Sequence, residues 1–212
     1  MKIKIFVFNP FYENTIILSS REKNCFIFDP GCYEGFEFDE LNNYIETEGL
    51  RVKAIINTHC HIDHVLGNYL LKVRYDVSLK IPVNEKEIYE AVPVYAPKWG
   101  ITNYSHTEAD EYLKEGMELE LDEVSFKLIE VPGHSPGHLM FYNEDEKMMI
   151  GGDVLFRESI GRTDLPGGDH QALLSNIREK VYTLPDEVTV YPGHGSETTI
   201  GYEKSNNPFV KA

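Results

Sequence analysis

Apolar positions recur along this chain with two different spacings. The runs "IKIFVF" (3–8), "NTIILSS" (14–20) and "NCFIFDPG" (24–31) are short, β-rich and bounded by turn residues. They predict an opening antiparallel meander. Over 36–49 the spacing lengthens: Phe36, Leu41, Tyr44 and Ile45 fall near helical intervals and Gly49 supplies a stop. "VKAIINT" (52–58) then predicts a buried strand, followed by a helix that starts at Asp63 or His64 and runs through Leu70 and Leu71. Residues 81–84 predict a short strand and 85–91 a short helix.

Residues 92–112 follow neither period. Tyr95, Trp99 and Tyr104 stand there among prolines and polar residues, which fits a loop over a site or a wrap that packs its aromatics on the core. A second β-rich block covers "VSFKLIEVPG", "HLMFYN" and "KMMIGGD". Gly168-Asp169 predicts an N-cap for a helix with Leu173, Leu174, Ile177 and Val181 on one face. "VTVYPGHG" is one more strand. With no tandem repeat and no long linker, the expected layout is one domain, 1–212, in two halves of strands followed by helices.

Four polar clusters each directly follow an apolar run: "THCHIDH", "PGHSPGH", "GGD" and "PGHG". Ligands at strand ends are held by a rigid scaffold yet stay open to substrate. Neutral imidazoles and carboxylates suit zinc, with iron or manganese as alternatives. His59, His61, Asp63, His64, His134, Asp153 and His194 are too many for one tetrahedral ion and suit two divalent ions. Asp153, with two oxygens among glycines, is the expected bridge. A lone buried histidine is more often a satisfied core residue, and His106, His138 and His170 are assigned that role. His138 is allowed a hydrogen bond behind the ligands, and His170 a place in the first turn of an exposed helix. Cys60, between two ligands, is expected to point away as a packing residue.

Composition narrows the partners. A hydrophobic content of 42% fits a globular chain of 212 residues. Lys and Arg number 20 against 35 Asp and Glu, a net charge of −15. Such a surface repels phosphate backbones and argues against nucleic acid. The cysteines, Cys25, Cys32 and Cys60, are odd in number and form no Cys-x-x-Cys, so a reducing cytoplasm is expected. "MKIKIFVFNP" has too short an apolar run for a signal peptide or a membrane span. Nothing in the pattern indicates an oligomeric state.

"THCHIDH" resembles the His-x-His-x-Asp-His signature of the metallo-β-lactamase superfamily, and "PGHSPGH", "GGD" and "YPGHG" follow in the order of its other metal motifs. The resemblance implies an α/β fold, an αββα sandwich with metals at one edge between two sheets. It implies His59, His61 and His134 on one ion, and Asp63, His64 and His194 on the other. Asp153 is shared, with Asp63 and Asp153 in catalytic parts.

"GRTDLPGGD" and "PGHGSETTIGYEKSNNPF" resemble the short glyoxalase II group, the hydroxyacylglutathione hydrolases. A hydroxide between two metals would then hydrolyse a small hydroxyacyl thioester. The related persulfide dioxygenases share "GRTD" but usually read Pro-Ala-His-Asp where this chain has "PGHG", so the thioesterase is preferred. The alternatives are a mononuclear-iron dioxygenase on His59, His134 and Asp153, a lactonase or phosphodiesterase, and a metal-bound scaffold. Longer glyoxalase II enzymes bind glutathione through a helical C-terminal domain, whereas only "FVKA" follows Pro208 here. Arg157, Arg162, Lys98 and Lys204 remain as candidate cations, with Arg162 expected to pair with Asp164.

Overall fold

The computed structural model describes residues 1–211. Lys2–Phe8 (β1), Glu13–Ser19 (β2) and Asn24–Phe28 (β3) form the expected antiparallel meander. Gly35–Glu48 (α1) follows, opened by a capping box between Glu34 and Glu37 and closed by Gly49 at φ +65°. Arg51–Ile56 (β4), Asn68–Tyr75 (α2), Ser78–Pro82 (β5), Lys86–Tyr95 (α3) and Glu111–Leu113 (β6) complete a six-stranded sheet ordered β1 to β6. From β3 onward its strands are parallel.

The second half repeats this plan. Glu118–Leu121 (β7), Val124–Glu130 (β8), Leu139–Asn143 (β9) and Met148–Gly152 (β10) run antiparallel. Leu155–Phe156 (β11) and Ser159–Ile160 (β12) make a small hairpin. His170–Asn176 (α4) continues into a π turn at Ile177–Val181. Thr189–Pro192 (β13) returns parallel to β10, and Thr198–Thr199 (β14) and Ile200–Asn206 (α5) finish the half. The order is β14-β13-β10-β9-β8-β7.

Alternation along the strands sets the layers. In β2, Ile17 faces Leu41, Ile45, Leu71 and Tyr89 of the helices, while Ile16 and Leu18 face the other sheet. In β9, Leu139 and Phe141 face the first sheet, while Met140 and Tyr142 meet Leu173, Ile177 and Val181. The product is the αββα sandwich that the resemblance implies. Phe28 locks the layers together, with ring centroids 5.1 Å from Phe141 and 6.4 Å from Phe126. Truncation of such a side chain to alanine costs about 3–5 kcal/mol.

Three local expectations are corrected. The helix expected at Asp63 or His64 begins at Asn68, after a 3₁₀ turn at Ile62–His64. Asn57 donates to the His64 carbonyl (2.8 Å) and Gly67 N–H to that of Pro30 (2.7 Å), so this backbone is bent to other partners. The strand expected at 81–84 is Ser78–Pro82, whose Leu79 and Ile81 reach the core. The helix expected at 85–91 runs to Tyr95 through Pro93. Burial of Tyr89, Val92 and Ala96 along one face outweighs the lost proline hydrogen bond in its last turn. Residues 92–112 serve both expected purposes. Tyr95 and Trp99 line the cavity described below, whereas Tyr104 packs against the core.

Candidate metal centre

Every ligand cluster expected from the sequence arrives at one edge of the sandwich, each on the loop leaving a parallel or central strand. His59, His61 and His134 bring one ligand atom each within 4.8 Å of one another, and so do Asp63, His64 and His194. Asp153 stands between the groups. Its Oδ2 is 3.6 Å from His134 Nε2 and 3.6 Å from His194 Nε2, and its Oδ1 is 3.5 Å from His64 Nε2. Gly193 permits this approach: a Cβ there would lie 2.2 Å from Asp153 Oδ1.

Hydrogen bonds behind two histidines of the first group fix their tautomers. His134 Nδ1–H donates to the Arg162 carbonyl at 2.7 Å, so Nε2 carries the lone pair. Thr58 donates its hydroxyl hydrogen to Asp29 (2.6 Å), so Thr58 Oγ1 accepts from His59 Nδ1–H at 3.1 Å. His59 Nε2 therefore also carries a lone pair, 3.2 Å from that of His134. His61 Nδ1 adds a third nitrogen, 2.8 Å from His134 Nε2. Facing lone pairs repel unless a cation lies between them, and tetrahedral zinc with Zn–N of about 2.0–2.1 Å sets nitrogens about 3.3 Å apart. The donor set fits a metal.

The two groups differ in electrostatic character. Burial, reinforced by neighbouring imidazoles, holds His59 well below the ordinary histidine pKa and takes His61 down to about 3. Both are thus held neutral, the form in which an imidazole can bind a metal. Burial alone would raise the Asp153 and Asp63 carboxyls, but His64 and His194 more than offset it, and both are held below the usual carboxylate range. Burial would likewise lower His64, yet Asp153 and Asp63 hold it well above the ordinary value. Both carboxylates of this half stay deprotonated, the form that holds a cation. Asp153 Oδ1 and His64 Nε2 are buried with no hydrogen-bond partner, as ligands aimed at an ion would be.

Asp29, His59 and His64 also bring one ligand atom each within 4.8 Å of one another. Asp29 is better read as support for the ligands. Its carboxylate takes Thr58 N–H and Oγ1–H, both at 2.6 Å, and lies 3.2 Å from His64 Nδ1. It orients one ligand of each group. Asp29 ends β3 as the ligand clusters end their strands, so the same positional signal marks it in the sequence. Glu85 has no such signal. It spans the ligand loops from the start of α3, accepting N–H of Cys60 (2.9 Å) and Gly137 (2.7 Å).

The remaining expectations find their places. His138 Nε2 accepts Asp153 N–H at 2.9 Å, and its ring stacks on His59, 4.8 Å between centroids. His106 packs on Tyr89 away from the site, and His170 opens α4, with Asp169 as its N-cap. Cys60 is buried in the core. Arg162 grips Asp164 through two bonds at 2.7 and 2.8 Å. Over the ligand groups lies a cavity of about 620 Å³, within the usual size for a small-molecule site.

Known proteins resemble this chain along its length. The hydroxyacylglutathione hydrolase GloC of Haemophilus influenzae is 39% identical over 215 residues, covering 100% of this chain and 99% of its own. The structure of the BLEG-1 B3 metallo-β-lactamase superposes with a TM-score of 0.91 at 33% identity, all of both chains being covered. That of TTHA1623 in a di-iron-bound form gives 0.87 at 34% identity, covering 98% of this chain and 100% of that one. The family model of the metallo-β-lactamase superfamily matches residues 8–194, from the end of β1 to the last histidine of the site. The chain belongs to the metallo-β-lactamase superfamily.

Proposed function

We propose that the protein is a metal-dependent hydrolase that cleaves small hydroxyacyl thioesters with two divalent ions, zinc foremost. His59, His61 and His134 would hold one ion and Asp63, His64 and His194 the other. The observation that carries this is Asp153, whose two oxygens reach histidines of both groups. A single ion on His59, His134 and Asp153 would leave the second group without a task. The likeness to the GloC hydrolase supports the thioester. Residues 1–212 act as one domain, and three free, buried cysteines fit the cytoplasm.

When bound, the ions supply Lewis acidity, polarising a carbonyl oxygen and lowering the pKa of water from about 15.7 toward about 7. The chain's residues organise the rest. Asp63, anionic and 3.2 Å from His194 Nε2, faces the cavity and accepts a hydrogen of the attacking water. Asp153 stays anionic and keeps the two groups in register, its backbone pinned by His138. Asp29 and the Arg162 carbonyl hold the imidazole tautomers through the reaction. Water adds at the carbonyl carbon, the C–S bond breaks, and a thiolate of pKa about 8.5 leaves without a general acid.

The test follows thiol release and dissolved oxygen together on metal-reconstituted protein, with lactoylglutathione and glutathione persulfide offered in turn. Thiol release from the thioester without oxygen uptake is expected. Oxygen uptake with the persulfide, and no thiol from any thioester, would transfer the assignment to a dioxygenase.

A further inference from the structure

The cavity has a polar floor and apolar walls. Ligand residues form the floor. Phe11, Ile88, Tyr95 and Trp99 of the first half and Phe156 and Leu165 of the second line the walls. The walls come from both halves of the fold. Successive faces of α3 bury Tyr89 and Val92 in the core and turn Ile88, Ala91 and Tyr95 to the cavity. Phe11 meets Trp99 edge to face, with centroids 6.1 Å apart, and Phe156 stands 6.3 Å from the His194 ring. Trp99 and Phe11 thus present a joined aromatic surface to the cavity.

Charge separates the possible occupants. Among the described residues Arg162 is the one Lys or Arg lining the cavity, and its Nε–H and Nη2–H donate to the two oxygens of Asp164. The other candidate cations are placed elsewhere. Arg157 lies over the Tyr202 ring at 4.5 Å, Lys204 binds Asp186 at 2.6 Å, and Lys98 does not line the cavity. A carboxylate on the thiol arm, away from the ions of the floor, would leave water for apolar walls whose one Lys or Arg is already paired with Asp164, in a chain of net charge −15. That desolvation is not repaid. An apolar arm gains in proportion to the surface it covers and can meet the rings edge-on.

We infer that the thiol half of the substrate is uncharged and apolar, an aromatic or branched alkyl thiol rather than an anionic peptide thiol. This rests on the thioester assignment for the acyl half, because it places the carbonyl over the ligand groups and the sulfur arm against the apolar walls.

Two measurements on metal-reconstituted protein test it. The first needs no turnover: Trp99 is the only tryptophan, so its emission reports binding of unreactive thioethers. Methyl 2-phenylethyl sulfide is expected to bind at least about tenfold more tightly than S-methylglutathione, the scale of selectivity an apolar pocket reaches. The second compares lactoyl thioesters of 2-phenylethanethiol, N-acetylcysteamine and glutathione by thiol release. The phenylethyl thioester is expected to show the lowest KM and the glutathione thioester the highest. Trp99→Ala is expected to narrow the phenylethyl-to-N-acetylcysteamine ratio of kcat/KM, with phenylethyl sulfide binding then followed by calorimetry. Equal or tighter binding of S-methylglutathione, or a lower KM for lactoylglutathione, overturns the inference while leaving the thioesterase standing. Tight sulfide binding with no thiol released from any thioester does the reverse: the apolar ligand class stands and the bond cleaved is reassigned.

Discussion

Glu85 accepts the amide hydrogen of Cys60 at 2.9 Å, and with its other oxygen that of Gly137 at 2.7 Å. Cys60 lies between His59 and His61, and Gly137 between His134 and His138. One fully buried carboxylate therefore joins the loops that bring the first three histidines together. A glutamine at this position can accept only one of the two amides and sets its own NH₂ against the other. Glu85→Gln is expected to cost about 1–3 kcal/mol of stability, the penalty of a buried unsatisfied donor, read from denaturant midpoints at unchanged m. It should also lower metal affinity. A variant with wild-type midpoint and metal content would show that the ligand loops hold their geometry without Glu85.

Asp153 and His138 are separated by one hydrogen bond yet are expected to differ widely when removed. Asp153 reaches histidines of both groups through its carboxylate, whereas His138 aims no atom at the ion positions, bonding the Asp153 backbone amide and stacking on His59. Asp153→Ala should abolish turnover. His138→Ala should reduce it about 10–100-fold, as for residues that orient ligands. Both are to be measured as kcat at matched metal content, with circular dichroism to verify folding. Comparable losses would mean that Asp153 is not the shared ligand.

Metal stoichiometry divides the two groups. Elemental analysis after reconstitution with excess metal is expected to plateau near two ions per chain in the wild type and near one in His194→Ala. Chelation should lower the melting temperature, because ions that bind only the folded chain add about 2.7 kcal/mol at a hundred times Kd. A wild-type plateau at one ion would favour the single-iron alternative.

Much of this site is legible in the sequence for a physical reason. A ligand must leave the end of a buried strand, so "THCHIDH", "PGHSPGH", "GGD" and "PGHG" all mark themselves by position. The alternating cores of β2 and β9 are equally plain, because a half-buried strand writes its two faces into successive residues. What the pattern hides depends on distant partners. Glu85 serves amides 25 and 52 residues away, and no local spacing records that. The start of α2 was displaced by backbone bonds to Asn57 and Pro30. Short edge strands such as β6, β11 and β14 owe their conformation to a neighbour rather than to their own few residues.

Asp29 offers the sharpest separation of charge from shape. It sits at φ +46°, a left-handed conformation that asparagine tolerates far better than alanine does. Asp29→Asn therefore keeps the backbone while exchanging a carboxylate for one acceptor and one donor. The carboxylate now takes Thr58 N–H and Oγ1–H and faces His64 Nδ1, so the amide must turn its NH₂ toward at least one of these donors. Placed on the Oδ2 side, the NH₂ faces both the Thr58 hydroxyl and His64 Nδ1, so the hydroxyl must reverse, His59 is free to take the other tautomer and His64 loses its neighbouring acceptor. Placed on the Oδ1 side, it opposes the Thr58 N–H instead and pushes on the backbone that carries His59. Either way a ligand loses its support while every ligand remains present. The expected result is a folded protein whose metal affinity falls about 10–100-fold, measured by competition with a chromophoric chelator. Asp29→Ala should add the strain of a positive φ, seen as a lower melting temperature than Asp29→Asn. Wild-type affinity in Asp29→Asn would show that the histidine tautomers are set by the metals themselves and not by the residues behind them.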